Sequence, residues 1–88
     1  MKFPELKLLI CIGCNKKLKP WGQCLDCEIS YSGYGISIYL HGFHNFCDYQ
    51  INPNGNVFKK WDETLFNIEE CEDFKEVMQK IHKLETFK

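Results

Sequence analysis

Cys11-Ile12-Gly13-Cys14 and, after a spacer of nine residues, Cys24-Leu25-Asp26-Cys27 place four of the six cysteines in the first third of the chain as two CxxC pairs. In a CxxC turn both thiolates can reach one ion at about 2.3 Å, and a second such turn completes the tetrahedral shell that Zn²⁺ takes in structural sites. The competing reading is a disulfide within each pair. The opening residues do not read as a secretory signal, because Leu8 to Ile12 is too short for its apolar core and runs straight into the first pair. A reducing, cytoplasmic setting follows as the expectation, and there thiolates and metal are favoured over bridges. Cys11, Cys14, Cys24 and Cys27 are therefore the expected ligands of one structural zinc.

The residues behind each pair extend this reading. Cys14-Asn15-Lys16 and Cys27-Glu28 put small or polar groups where backbone N–H groups turn back toward sulfur. Over residues 8–30 the chain resembles the rubredoxin-type knuckles of zinc ribbons. Many ribbons have Gly where Asn15 stands, and Asn tolerates the left-handed backbone needed there. The resemblance implies a metal-held hairpin, here a short one around Lys19-Pro20-Trp21-Gly22, and it implies iron as the second choice of metal. The shortness of the hairpin argues against functions that need a long protruding one.

With 88 residues the chain is expected to form one domain, residues 1–30 being the ribbon part and 31–88 the remainder. Chains this small bury only about 60–65% of the surface exposed by their unfolded form, so a bound metal would supply stability that the core lacks. No apolar run approaches the roughly 20 residues of a membrane span. The net charge of −1 is unevenly spread: residues 1–20 carry +4, residues 21–58 carry −3 and the remainder −2. All eleven basic residues are lysine, and without guanidinium groups sequence-specific reading of nucleic acid is not expected. The lack of Arg and Ala beside abundant Lys, Ile, Asn and Phe has the look of an AT-rich genome, such as a phage's; the setting would then be the host cytoplasm.

Taken in order, residues 3–10 alternate Leu6, Leu8 and Ile10 and predict a short strand. Trp21 is expected to lie as a lid over the zinc hairpin. From Glu28 onward the period is two, predicting a meander of three or four antiparallel strands: Ile36 to Leu40, Phe46 to Ile51, Val57 to Trp61, and a fourth after a turn at Asp62-Glu63. Asn54-Gly55 marks a hairpin, both positions accepting positive φ. Tyr31 to Gly35 reads as a bulged first strand or a linker. Residues 72–87 have helical spacing, with Phe74, Val77, Met78, Ile81 and Leu84 on one stripe. Asp73 followed by Glu76, or Asn67 followed by Glu70, would cap it. The fold class is α+β, with the helix on one sheet face.

Other chemistry is weaker. His41, His44 and Cys47 have a spacing that could serve a second metal, but they read more simply as turn residues. Cys47 and Cys71 read as small buried hydrophobes, and His82 as a boundary residue. Asp62-Glu63 and Glu69-Glu70 are solvated carboxylates, and Ser32-Gly33-Tyr34-Gly35 lacks the lysine of a phosphate loop. A four-thiolate site has no open position for an activated water, so no enzyme and no small-molecule substrate are expected. The expected role is an adaptor or modulator that binds a protein, as a monomer or as a homodimer through a sheet edge. The alternative is non-specific nucleic-acid binding through Lys16, Lys17, Lys19 and Trp21.

Overall fold

β-branched and aromatic residues at every second position carry the middle of the chain into strands. The computed structural model describes residues 1–33, 35–59 and 63–86. In it β1 (Gln23–Cys24), β2 (Ile29–Ser32), β3 (Gly35–Ile38), β4 (Tyr49–Ile51), β5 (Asn56–Lys59) and β6 (Thr64–Asn67) form one antiparallel sheet in sequential order. This exceeds the three or four strands expected, because β1 and β2, on either side of the second CxxC pair, belong to the same sheet. Cys24 lies opposite Ile29, Ile29 opposite Ile38, and Ile38 opposite Tyr49. Directly opposed residues share a face, so the second cysteine pair starts on the row that builds the core. A parallel row joins Tyr31, Ile36, Ile51, Val57 and Phe66. The other face carries Ser30, Ser37 and Gln50.

The helix α1 (Phe74–Thr86) closes the core side with Phe74, Val77 and Ile81, all buried in one cluster with Ile29, Ile38 and Ile51. Both caps foreseen in the sequence are used. The Asn67 side chain accepts from Glu69 N–H at 2.9 Å while Glu70 accepts from Asn67 N–H at 2.9 Å, capping a 3₁₀ turn at Ile68–Glu70. Asp73 then accepts from Glu76 N–H at 3.0 Å at the start of α1. No helix among the described residues is long and apolar enough to cross a membrane.

The predicted N-terminal strand is absent: residues 6–8 form a 3₁₀ helix, and only Ile10 makes a β-bridge, to Lys17. The alternation of Leu6, Leu8 and Ile10 does not mark a buried face. Leu8 and Ile10 are exposed while Leu6 and Leu9 pack on the core, and Leu9 takes a left-handed backbone with φ 52°. Two strands are shorter than predicted. Residues 39–48 turn, with Asp48 accepting from Leu40 N–H at 2.7 Å, and Phe46 lies exposed in that turn. Tyr34, Lys60, Trp61 and Asp62, and with them part of the predicted third strand and following turn, lie outside the described residues.

Two turns share one chemistry. In Lys19-Pro20-Trp21-Gly22 and Asn52-Pro53-Asn54-Gly55 the glycine N–H donates to the first carbonyl at 2.8 Å in each. The glycines have φ 91° and 87°, and proline sits at the second position, where its fixed φ suits the turn. Asn54 itself keeps a negative φ, so the hairpin is wider than the two-residue turn that Asn54-Gly55 predicts.

Gly35 is the tightest backbone approach. It has φ 127°, and a Cβ there would lie 2.1 Å from the Ile51 carbonyl oxygen, whereas one on Gly33 would meet nothing within 4 Å. Gly35→Ala is expected to cost about 2–4 kcal/mol in denaturant unfolding, and Gly33→Ala should fall within about 0.5 kcal/mol of the parent.

Candidate metal centre

Each CxxC pair is folded by its own backbone. Asn15 N–H donates to the Cys11 carbonyl at 2.9 Å and Glu28 N–H to the Cys24 carbonyl at 2.9 Å. The residue after each pair turns left-handed, Asn15 at φ 61° and Glu28 at φ 55°. Asn adopts that conformation readily. Glu28 does so at a cost of about 1–2 kcal/mol, a strain nothing in the sequence announces.

These turns aim four sulfurs at one point. The Sγ atoms of Cys11, Cys14, Cys24 and Cys27 all lie within 4.8 Å of one another, and Cys14 and Cys24, from different pairs, are 3.8 Å apart. A tetrahedral thiolate shell with bonds of about 2.3 Å has edges of about 3.8 Å, whereas a disulfide needs about 2.05 Å. All six cysteines are free. The four are therefore positioned to hold a metal ion, as the sequence predicted, and they are the only such cluster among the described residues.

The surroundings fit that use. Gly13 N–H donates to the Cys11 sulfur at 3.3 Å and Cys27 N–H to the Cys24 sulfur at 3.4 Å. The Lys16 backbone N–H facing Cys14 holds that thiol below its usual value. Burial pushes the thiols of Cys11 and Cys27 up, since neither can ionise cheaply away from water without a cation beside it.

Three further residues complete the site, Tyr31 and Phe74 from outside the pairs and Gly13 from within the first. The buried Tyr31 of β2 donates its hydroxyl to the Ile10 carbonyl at 2.6 Å and accepts from Ile12 N–H at 2.8 Å, gripping the backbone on both sides of Cys11. Its own pKa is pushed up to about 12, by burial first and then by the cysteines' charge. A Cβ on Gly13 would lie 3.0 Å from both the Cys27 sulfur and the Phe74 ring. The absence of a side chain at Gly13 thus lets Phe74, at the start of α1, cover the site. That is the place foreseen for Trp21, whose indole instead stands 63% exposed on the hairpin. Sequence reasoning missed all three parts, and the only local signal was Gly13 inside the motif.

The remaining candidates lie elsewhere. Lys16 faces Asp26 at 3.6 Å, both largely exposed, and Lys17 and Lys19 are exposed on the hairpin with Trp21. His41 sits 3.8 Å from the Asp48 carboxylate and brings no cysteine with it. His82 is exposed on α1, while Cys71 is buried beside the 3₁₀ turn. No family model, curated protein or solved structure matches this chain.

Tyr31→Phe leaves the Ile12 N–H without its acceptor. It is expected to lower the stability of the metal-loaded protein by about 1–3 kcal/mol and to speed metal loss to a chelator. The pH dependence follows from the raised thiols. The metal takes thiolates, so binding at neutral pH expels at least the protons of Cys11 and Cys27. Apparent affinity in chelator competition should therefore rise steeply with pH, by about 100-fold per unit for two protons, and fall as the solution is acidified.

Proposed function

We propose that this chain is a small zinc-stabilised binding domain, an adaptor or modulator whose work is to hold a protein partner. The observation that carries the reading is the convergence of four cysteine sulfurs from two turns under a buried aromatic cover. Such a shell matches zinc's preference for four thiolates, and it leaves no coordination position for substrate or activated water, the mark of a structural rather than a catalytic site. Zinc is preferred to iron because a closed four-thiolate shell is its usual structural site, and elemental analysis separates the two. The domain then works through its surface, in a reducing cytoplasm where the thiols persist, a phage-infected host's if the composition reflects such a source.

The sheet ends favour a partner on side chains rather than on strand edges. β1 is two residues long, and β6 carries a register shift opposite Val57 and Phe58; short and bulged edges both resist strand addition. Non-specific nucleic-acid binding through Lys16, Lys17, Lys19 and Trp21 is the second reading, favoured by the exposed indole beside lysines.

Native mass spectrometry with elemental analysis, before and after a strong chelator, tests the metal reading. One zinc per chain is expected, with loss of the folded circular-dichroism spectrum on its removal, since structural zinc sites hold about 10–16 kcal/mol of folding energy in small domains. A metal-free folded chain, lighter by pairs of hydrogens, would overturn it in favour of disulfides.

A further inference from the structure

The hairpin presents Trp21 as an exposed aromatic at the second corner of a closed turn. Pro20 sets the backbone before it, Gly22 N–H closes the turn onto the Lys19 carbonyl, and Gly22 C=O accepts from Tyr31 N–H at 2.8 Å, locking the turn to β2. The indole N–H donates to the Gln23 side chain at 2.9 Å. That bond favours one orientation of the ring, with 63% of the residue's surface in water. A shallow groove of about 310 Å³ runs beside it, walled by Leu6, Leu9 and Pro20, with Lys7 on its rim. Past Pro20 a second hollow continues along Leu9 and Leu18 between Lys17 and Lys19. Among the described residues Lys7, Lys17 and Lys19 make no ion pair. Glu5 is the one acid in the first twenty residues.

An exposed aromatic on a closed turn, beside an aliphatic slot and near lysines without ion pairs, has a definite complement. We propose that this face docks an acidic peptide segment bearing an apolar anchor side chain, the anchor lying against Trp21, Leu6 and Leu9 and the carboxylates meeting Lys7, Lys17 and Lys19. This rests on the protein-binding reading above and names the chemistry of its partner. Preorganisation is what makes the site usable: a turn whose backbone is already closed loses little freedom on binding, and Trp is among the residues enriched at the energetic anchors of interfaces. The same features disfavour a nucleic-acid strand. Successive bases need successive stacking platforms, but among the described residues Trp21 is the one exposed ring along the groove, Tyr31 being buried and the other walls aliphatic.

The test is selection from displayed random peptides of about 12 residues on the immobilised zinc-loaded protein, followed by anisotropy titration of the selected peptides. The expected pool is net acidic with at least one Leu, Ile, Phe or Trp. Trp21→Ala should weaken its binding about ten-fold or more, as should Lys17→Glu combined with Lys19→Glu, while Lys16→Glu, already turned toward Asp26, should change it less than about three-fold. These side chains are exposed, and a retained zinc and circular-dichroism spectrum verify that the variants fold. The proposal is overturned by an empty, neutral or basic pool, by binding indifferent to Trp21→Ala, or by tighter binding to an oligothymidylate of about 15 nucleotides. Self-association that occupies the face, seen by sedimentation, also overturns it. A zinc-loaded folded protein that selects nothing removes this face alone, whereas a chain without zinc removes the metal reading beneath it.

Discussion

Four sulfurs that must share one small volume are the constraint from which the rest of this fold follows. Cys11 is fully buried and Cys24 nearly so, and thiolates at that spacing repel one another in surroundings that already resist charge. Without a cation burial keeps Cys11 and Cys27 as reluctant thiols; with one the cluster would be a cross-link between two turns and, through them, between the N-terminal segment and the sheet. A chain that buries so little apolar surface gains most from such a link, because it removes chain freedom that the core alone would have to offset.

The fold transmits that link through a few contacts. Tyr31 reaches from the sheet to the backbone on either side of Cys11, and Phe74 reaches from the helix over Gly13 to the edge of the cluster. Cys24 is itself a sheet residue, paired with Ile29. Sheet, helix and N-terminal loop each contribute a wall, so the cysteine cluster lies where the three elements meet. A sequence division at residue 30 falls inside β2, which pairs with strands on both sides of it.

What was legible in the sequence is what local chemistry decides. The cysteine spacing, the Pro-Gly turns, the two helix caps and the amphipathic stripe of α1 each act within a few residues and can be read as they stand. What escaped depends on partners far along the chain. The Leu6, Leu8, Ile10 alternation is real, but burial selects Leu6 and Leu9 instead. Trp21 is a large apolar residue beside a metal hairpin, and only the arrival of Phe74 from fifty residues downstream shows that the cover is already supplied. Tyr31 stood in a stretch legible as a bulged first strand or a linker, and it lies in strand β2, but its hydroxyl's two hydrogen bonds leave no trace in periodicity.

The sequential order of the strands also sets an order of events. Every strand pairs with the one just made, a topology of short loop closures that suits rapid, stepwise folding. The cysteine turns and β1 are synthesised first, β2 with Tyr31 next, and the helix carrying Phe74 last. During synthesis, then, the thiols can gather while their aromatic cover does not yet exist, leaving the site accessible to an incoming ion. Phe74 thus joins Gly13 and Cys27 from the part of the chain made after both cysteine turns, and the packing beside the cluster depends on a residue its own turns do not supply.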